Sequence, residues 1–402
     1  MRILIVGAGP AGAALSFLLA RNGLEVVLIE RERDAARVFR GEALNPTGLD
    51  ALYAMGLREH VLALPTAVIE YWLIHLNRIP VTHINEPREE LGDRSFRAVS
   101  QPALLQMLVE QSEQYSNFTF RPGLTVRGLL TDDAGRVSGV RCHGVDGESK
   151  IAGDLVIGTD GRGSMVRNRA GIELTLLPES YDILSLKAAI PKEMKGHTPI
   201  HIYAKGPEAA FTYVSWDGRW QIAWLLQKGE WRNAKKRDWL AECAALMPES
   251  TAAHLLSQRE ALEGPSLLDV IVGRCASWHK PGVLLLGDAA HPMSPIRAQG
   301  INMALRDAIV AANHLVPAIR DVRNINDACK NLQRERDREI IRVQKLQLRE
   351  VRGQRWAREK PWLMAPLLKL APAVGRLPGI EKMFLWQQKP LRFGVTEVQL
   401  KV

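Results

Sequence analysis

Ile3-Leu4-Ile5-Val6-Gly7-Ala8-Gly9-Pro10-Ala11-Gly12 is the stretch that decides the fold. Four consecutive apolar residues read as a parallel-sheet strand buried on both faces. The glycines then follow the spacing Gly-x-Gly-x-x-Gly, and residues 11–22 read as a helix with Gly23 at its C-cap. Gly7 allows a tight turn, Gly9 lets the backbone approach a pyrophosphate, and Gly12 lets the helix pack close to the strand. Pro10 and Ala11 open the helix, whose free N–H groups and positive dipole end suit phosphate. Residues 26–30 form a second strand ending in Glu30, 18 residues after Gly12, where a carboxylate binds the hydroxyls of an adenosine ribose. Strand, turn, helix, strand and acid together predict a dinucleotide site.

Two later segments repeat the strand-to-turn pattern. Residues 154–158 lead into Thr159-Asp160-Gly161-Arg162-Gly163-Ser164, with Arg167 following. This places Asp160 and Gly161 at the carboxyl edge of the sheet, beside the ligand crevice. Ser164 is placed to cap the next helix. Residues 283–286 lead into Gly287-Asp288-Ala289-Ala290-His291-Pro292, and then Pro295-Ile296-Arg297-Ala298-Gln299-Gly300-Ile301-Asn302-Met303. Asp288 suits a ribityl hydroxyl. Gly300 opens a helix whose N–H groups near Ile301 and Asn302 suit negative charge on a reduced isoalloxazine. His291 reads either as a base or as a structural hydrogen-bonding group. One cofactor touched from both ends of the chain fits FAD better than NAD.

The 402 residues can bury a large core, and 46% hydrophobic with 24% charged residues is globular composition. Cys142, Cys243, Cys275 and Cys329 stand alone without a CxxC pair, which speaks against a zinc site or disulfide framework. No secretory signal precedes the first strand, and no uncharged apolar run reaches the roughly 18–20 residues that span a bilayer. The expected location is cytoplasmic, with peripheral membrane contact as the alternative. The net charge is +9, and residues 330–360 hold eleven Lys or Arg against five Asp or Glu. That basic helix reads as a membrane-docking face or as a solvated face in which Glu335 and Glu339 pair with Arg338 and Arg342. Nucleic acid is not an expected partner; the assembly is read as a monomer or homodimer.

Residues 45–62 and 102–115 read as helices, and 118–121, 125–130 and 139–143 as strands with a turn at 132–135. Residues 183–190, 200–204, 210–216 and 220–226 alternate as antiparallel strands, with an Asp217-Gly218 hairpin. Tyr181, Tyr203, Tyr213, Trp216, Trp220 and Trp224 in this part read either as a pocket wall or as core filling. Residues 302–318 and 326–358 read as helices, and 361–378 as a short amphipathic pair. The expected division is a cofactor-binding domain over 1–172, with strands near 65–100 lent to the substrate side. A substrate domain over 173–275 follows, then a return to the first domain over 276–325 and a helical region over 326–402.

The three turn motifs in this order resemble the group A flavoprotein monooxygenases, the p-hydroxybenzoate hydroxylase-like family, over roughly residues 1–320. The resemblance implies an α/β fold: a Rossmann-type FAD-binding domain, a mixed or antiparallel-sheet substrate domain and C-terminal helices. It implies Arg40 near the flavin and Gln101 by the ribityl or pyrophosphate region, with Arg31 and Val126 among the cofactor contacts. It implies NAD(P)H as reductant and O2 as oxidant, the flavin C4a-hydroperoxide hydroxylating or epoxidising a small aromatic or other electron-rich substrate. Members usually read Pro-x-x-Gly-Gln-Gly before the last helix; here Ala298 replaces the first of those glycines and Arg297 precedes it. A methyl group there predicts ordinary backbone angles. Arg297 reads as a partner of an anionic substrate or reduced flavin, or as a solvent-facing residue. Two related activities share the fold: a geranylgeranyl-reductase-like saturase, and a halogenase, whose Trp-x-Trp-x-Ile-Pro segment is not seen in this sequence.

Overall fold

The computed structural model describes residues 1–33, 42–178, 181–359 and 379–402. Arg40 and the expected amphipathic pair at 361–378 lie outside the described residues.

Strands Val283–Leu285, Leu155–Gly158, Arg2–Val6, Glu25–Glu30 and Phe118–Pro122 lie side by side and parallel, with His279–Lys280 antiparallel at one edge. Ile3, Leu4 and Ile5 are completely buried, as a strand covered on both faces requires. All three glycine-bearing turns therefore leave the same edge of one sheet. Helix Pro10–Arg21 packs on it, and helix Gln299–Arg320 packs on that helix.

A second, seven-stranded sheet runs Glu263–Leu268, Tyr181–Ala188, Trp220–Gln227, Glu208–Val214, Ile200–Lys205, Tyr71–Leu76, Ile79–Asn85. The last two strands belong to the early part of the chain and join through the parallel pairing of Tyr71–Leu76 with Ile200–Lys205. Alternation divides this sheet between two tasks. Leu184, Leu186, Trp220, Ile222 and Trp224 pack outward under helices Trp239–Ala244 and Glu249–Ser257. Ile183, Ala223, Leu225, Ile202 and Phe211 face the opposite way, into a cavity.

The expected helix over 45–62 is broken. Gly56 takes φ 82°, so helix Pro46–Ala54 ends and a separate helix Arg58–Leu62 begins. Of the aromatic group at 181–224, Tyr203, Trp220 and Trp224 fill the outer core and Tyr181 another buried cluster; Tyr213 lines the cavity. The basic helix, Ile325–Glu359, does not carry the expected Glu339–Arg342 pair: Glu339 turns inward to Arg306 and Arg336, and Glu335 meets His314. No described helix is long and apolar enough to cross a membrane. The four cysteines are free and buried.

The outer core holds two histidines. The rings of His75 and His201 lie tilted to one another with centroids 5.3 Å apart, and His201 Nδ1 lies 2.8 Å from the Tyr203 hydroxyl. Burial pulls both imidazoles down to about 4. The unfolded chain titrates near 6.5, so it binds the protons first as pH falls, and stability drains away between about pH 6.5 and 4. The loss approaches about 3 kcal/mol per histidine. Thermal unfolding followed from pH 7 to 4 should show a steep fall that His75→Asn/His201→Gln flattens; an unchanged slope in that double variant rejects this account.

Candidate active site

The glycine turn fits a dinucleotide by what it leaves out. Gly7 takes φ 102°, and a Cβ there would lie 2.7 Å from the Thr159 carbonyl. A Cβ on Gly12 would lie 2.0 Å from the Gly7 carbonyl and 2.5 Å from Thr159 Oγ1. Thr159 is itself fixed, donating to the Val6 and Gly7 carbonyls at 2.9 and 2.7 Å. Gly9 differs: a Cβ there would find its nearest protein atom 3.9 Å away, so its open side faces the cavity. Pro10 starts the helix where its missing N–H is no loss. Glu30 ends its strand buried, accepting from the Ala8 N–H at 2.7 Å and the Glu32 N–H at 3.1 Å. That carboxylate is locked to the glycine loop. Arg31 beside it is half exposed and pairs with Glu32 at 2.9 Å.

A cavity of about 920 Å³ runs from this turn to the second sheet. Gly7, Gly9, Pro10, Ala11, Glu30, Arg31, Gln101, Val126, Asp160, Gly161, Gly287, Asp288, Pro295, Arg297, Gly300 and Ile301 all line it. Residues far apart in the chain thus meet on one surface. Gly12 and Asn302 stand behind it. Gly12 makes the helix–strand contact, and Asn302 pins two loops, donating to the Ala298 and Ala43 carbonyls at 2.6 and 3.2 Å and accepting from the Asn45 N–H at 3.1 Å.

Three expectations need correction, and a fourth residue, Asp160, keeps its expected place on the cavity with its carboxylate engaged elsewhere. His291 is not on the cavity: it is buried, with Nε2 2.8 Å from Asp307, and its ring lies against Trp278. A base there has no path to a substrate. Asp160 lines the cavity, but its carboxylate is occupied in capping, accepting from Ser164 Oγ at 2.5 Å and from the N–H groups of Met165 and Val166 at 2.7 and 3.0 Å. Burial still pushes that carboxyl above its ordinary value. Ala298 does not adopt ordinary angles; it is left-handed at φ 52°, ψ 43°, and so is Arg297 at φ 61°, ψ 20°. The loop holds this shape because Gln299 donates to the Arg297 carbonyl at 2.8 Å and Asn302 to that of Ala298. Arg297 neither faces solvent nor stands free: it meets Glu350 at 3.1 Å, with its guanidinium over Trp72 and Phe384 at 5.2 and 5.3 Å.

The half of the cavity against the second sheet is apolar, walled by Ile69, Trp72, Phe96, Ile202, Phe211 and Leu225. Glu42 and Tyr213 interrupt it. Tyr213 is among the expected wall residues; sequence reasoning missed the others because they come from separate strands, and from the segments that flank strands, brought together by register. The period-two spacing of Phe211 and Tyr213 is a usable signal; Trp72, Phe96 and Glu42 carry none.

Residues 1–328 match the family model described as FAD binding domain. A 6-methylpretetramide 4-monooxygenase of Streptomyces rimosus is 32% identical over 357 residues, covering 86% of this chain and 83% of the relative. The chain belongs to the group A FAD-dependent monooxygenases. Among solved structures of this family, a p-nitrophenol 4-monooxygenase of Pseudomonas putida superposes with TM-score 0.78 at 18% identity, covering 97% of this chain and 98% of that one. PqsL of Pseudomonas aeruginosa, in complex with 2-aminobenzoylacetate, gives 0.73 at 22% identity, covering 86% and 94%. These two likenesses are of fold. The monooxygenase is an oxidoreductase whose cofactor is FAD, and the glycine cradle and the Glu30 seat fit that cofactor.

Proposed function

We propose that this monooxygenase hydroxylates a flat, electron-rich aromatic substrate, a phenol or enol of fused rings, using NAD(P)H and O2. The observation that carries this reading is the single cavity joining the glycine turn to an apolar, aromatic-walled chamber with one buried carboxylate. The name of the Streptomyces rimosus relative supports oxygen insertion into such a compound.

In this reading Gly7, Gly9, Pro10, Ala11 and the helix N-terminus hold the pyrophosphate, and Glu30 the adenosine ribose. Gln101 and Asp288 serve the middle of the cofactor, and the N–H groups near Gly300, Ile301 and Asn302 face the flavin ring. Arg31, Val126, Asp160 and Gly161 complete the wall. FAD supplies the reduction and O2 chemistry. The chain's part is to orient the ring, exclude water and stabilise charge. Ile202, Phe211 and Leu225 do the excluding, and Trp72 with Phe96, stacked at 6.0 Å, offers a flat wall.

The test is anaerobic reduction of flavin-loaded protein by NADPH or NADH with and without polycyclic phenols, then product analysis after O2 is admitted. Faster reduction with the phenol and a product heavier by one oxygen atom is the expected result. Reoxidation without oxygen insertion for every phenol tried rejects the hydroxylase reading and favours a saturase.

A further inference from the structure

Helix Ile380–Phe393 presents two unlike faces. Its inward face is fixed to the body. Phe384 lies under the Arg297 guanidinium at 5.3 Å, and the carbonyl of buried Leu391 accepts from Asn45 and Gln299 at 3.0 and 2.9 Å. Arg392 pairs with Glu86, and Glu381 accepts from the Asn85 N–H at 2.7 Å. Arg297 lines the cavity, so this face backs the chamber wall.

The outward face is not the polar face that a solvated helix carries. Lys382, Trp386, Lys389 and Phe393 follow the spacing i, i+4, i+7, i+11 and share one stripe, with Met383 beside it. Trp386 is 73% exposed, Met383 49% and Phe393 38%, and both lysines are exposed. Among the described residues, Trp386 and Phe393 are the only exposed members of the phenylalanines, tyrosines and tryptophans, and both fall on this stripe. No described carboxylate pairs with Lys382 or Lys389. The helix's other charges are engaged on its inward side, so the stripe is apolar and purely cationic.

That combination selects its partner. A second copy of this chain seated here by twofold symmetry would bring the lysines of both copies together with no acid between them. Two lysines are few for nucleic acid, where many phosphate contacts carry the affinity. An anionic bilayer surface satisfies every member of the stripe. The indole ring settles at headgroup level, Met383 and Phe393 enter the acyl boundary, and the ammonium groups meet lipid phosphate. The net charge of +9 favours the same partner. We propose that helix Ile380–Phe393 docks this monooxygenase on an anionic lipid surface through Trp386, Phe393 and Met383, with Lys382 and Lys389 as charge anchors. The docking does not depend on the hydroxylase reading. On that reading, it sets the chamber's cover at a surface into which a fused-ring substrate partitions.

The test is co-sedimentation of the full FAD-loaded chain with vesicles of phosphatidylcholine alone, and of phosphatidylcholine and phosphatidylglycerol in equal parts. The wild type should bind the phosphatidylglycerol vesicles and leave them as salt is raised. Lys382→Gln/Lys389→Gln should bind about 25-fold more weakly, roughly fivefold per lysine. Trp386→Ser should bind at least about tenfold more weakly. Flavin content, Tm and NAD(P)H oxidation in solution should stay as in the wild type, because none of these residues lines the cavity. Met383→Ser repeats the apolar test in case Trp386→Ser melts early. No binding to phosphatidylglycerol vesicles, equal binding to phosphatidylcholine alone, or binding that survives either the tryptophan or the lysine change overturns the proposal. So does a wild-type dimer that Trp386→Ser dissolves, or retention of a DNA duplex that Trp386→Ser abolishes, since each names a different occupant. None of these results touches the hydroxylase reading.

Discussion

Arg336→Met should lower stability by about 3–5 kcal/mol, the loss that follows when one partner of a buried ion network is removed. Arg336 is completely buried and shares one network with Asp307, Glu339, His291 and Arg306. Its Nε donates to Asp307 at 2.7 Å and its terminal nitrogen to Glu339. Asp307 also accepts from His291 at 2.8 Å and from the Gly287 N–H at 3.1 Å, and Glu339 from Arg306 at 2.8 and 3.0 Å. The tail joins in, since the Val395 N–H donates to Glu339 at 2.9 Å. Burial alone would raise the Asp307 and Glu339 carboxyls; the cations hold both below their ordinary values instead. Methionine matches the stem but takes the shared cation from two buried carboxylates, leaving Asp307 to His291 and Glu339 to Arg306. For a chain of 402 residues that corresponds to a fall in Tm of roughly 4–6 °C. Because Asp307 anchors Gly287, bound flavin should also leave at lower temperature than the fold melts. A melting curve within 2 °C or so of wild type, the resolution such a shift demands, rejects the network as a stabilising centre. The depressed carboxyls add a pH signature: this stability is present above the ordinary carboxylate range and is lost as pH falls through their lowered values.

Gly12→Val and Gly9→Ala should fail differently. At Gly12 the added carbon meets the Gly7 carbonyl at 2.0 Å, a contact no rotamer relieves, so the first helix must move off its strand. The variant should be purified without flavin and melt several degrees early. At Gly9 the protein itself leaves room, the nearest atom being 3.9 Å away. The methyl group fills the cavity side, where the pyrophosphate is proposed to lie. Gly9→Ala should melt like the wild-type apoprotein yet bind FAD at least about a hundredfold more weakly, near 3 kcal/mol. Calorimetry of both apoproteins with FAD titration separates the two roles. Wild-type FAD affinity in Gly9→Ala removes the turn from the pyrophosphate site.

The difference between these glycines is legible in the sequence. Their spacing after four apolar residues specifies which packs against the strand and which stays open to the cavity, because turn geometry is set by neighbours in the chain. Glu30, Asp288 and the turn at Asp160-Gly161 are legible on the same ground: each ends a strand, and parallel strands end at one edge. Other assignments need the third dimension. His291 reads as a base or as a structural group until Asp307, sixteen residues on and one helix away, occupies it. Ala298 looks unfit for a left-handed position until Gln299 and Asn302 are seen to fix the loop around it.

The sequence alone determined the cofactor half of this protein, since that half is built from contiguous strand–turn–helix units whose geometry is local. Tertiary structure alone decided the apolar chamber and the ion network. Trp72 shares a wall with Ile202 and Phe211 only through the register of strands more than a hundred residues apart, and Phe96 and Glu42 reach it from the residues just before two further strands. A shift of one residue in any of those strands would exchange the cavity face for the outer core, and nothing within the strand itself forbids it.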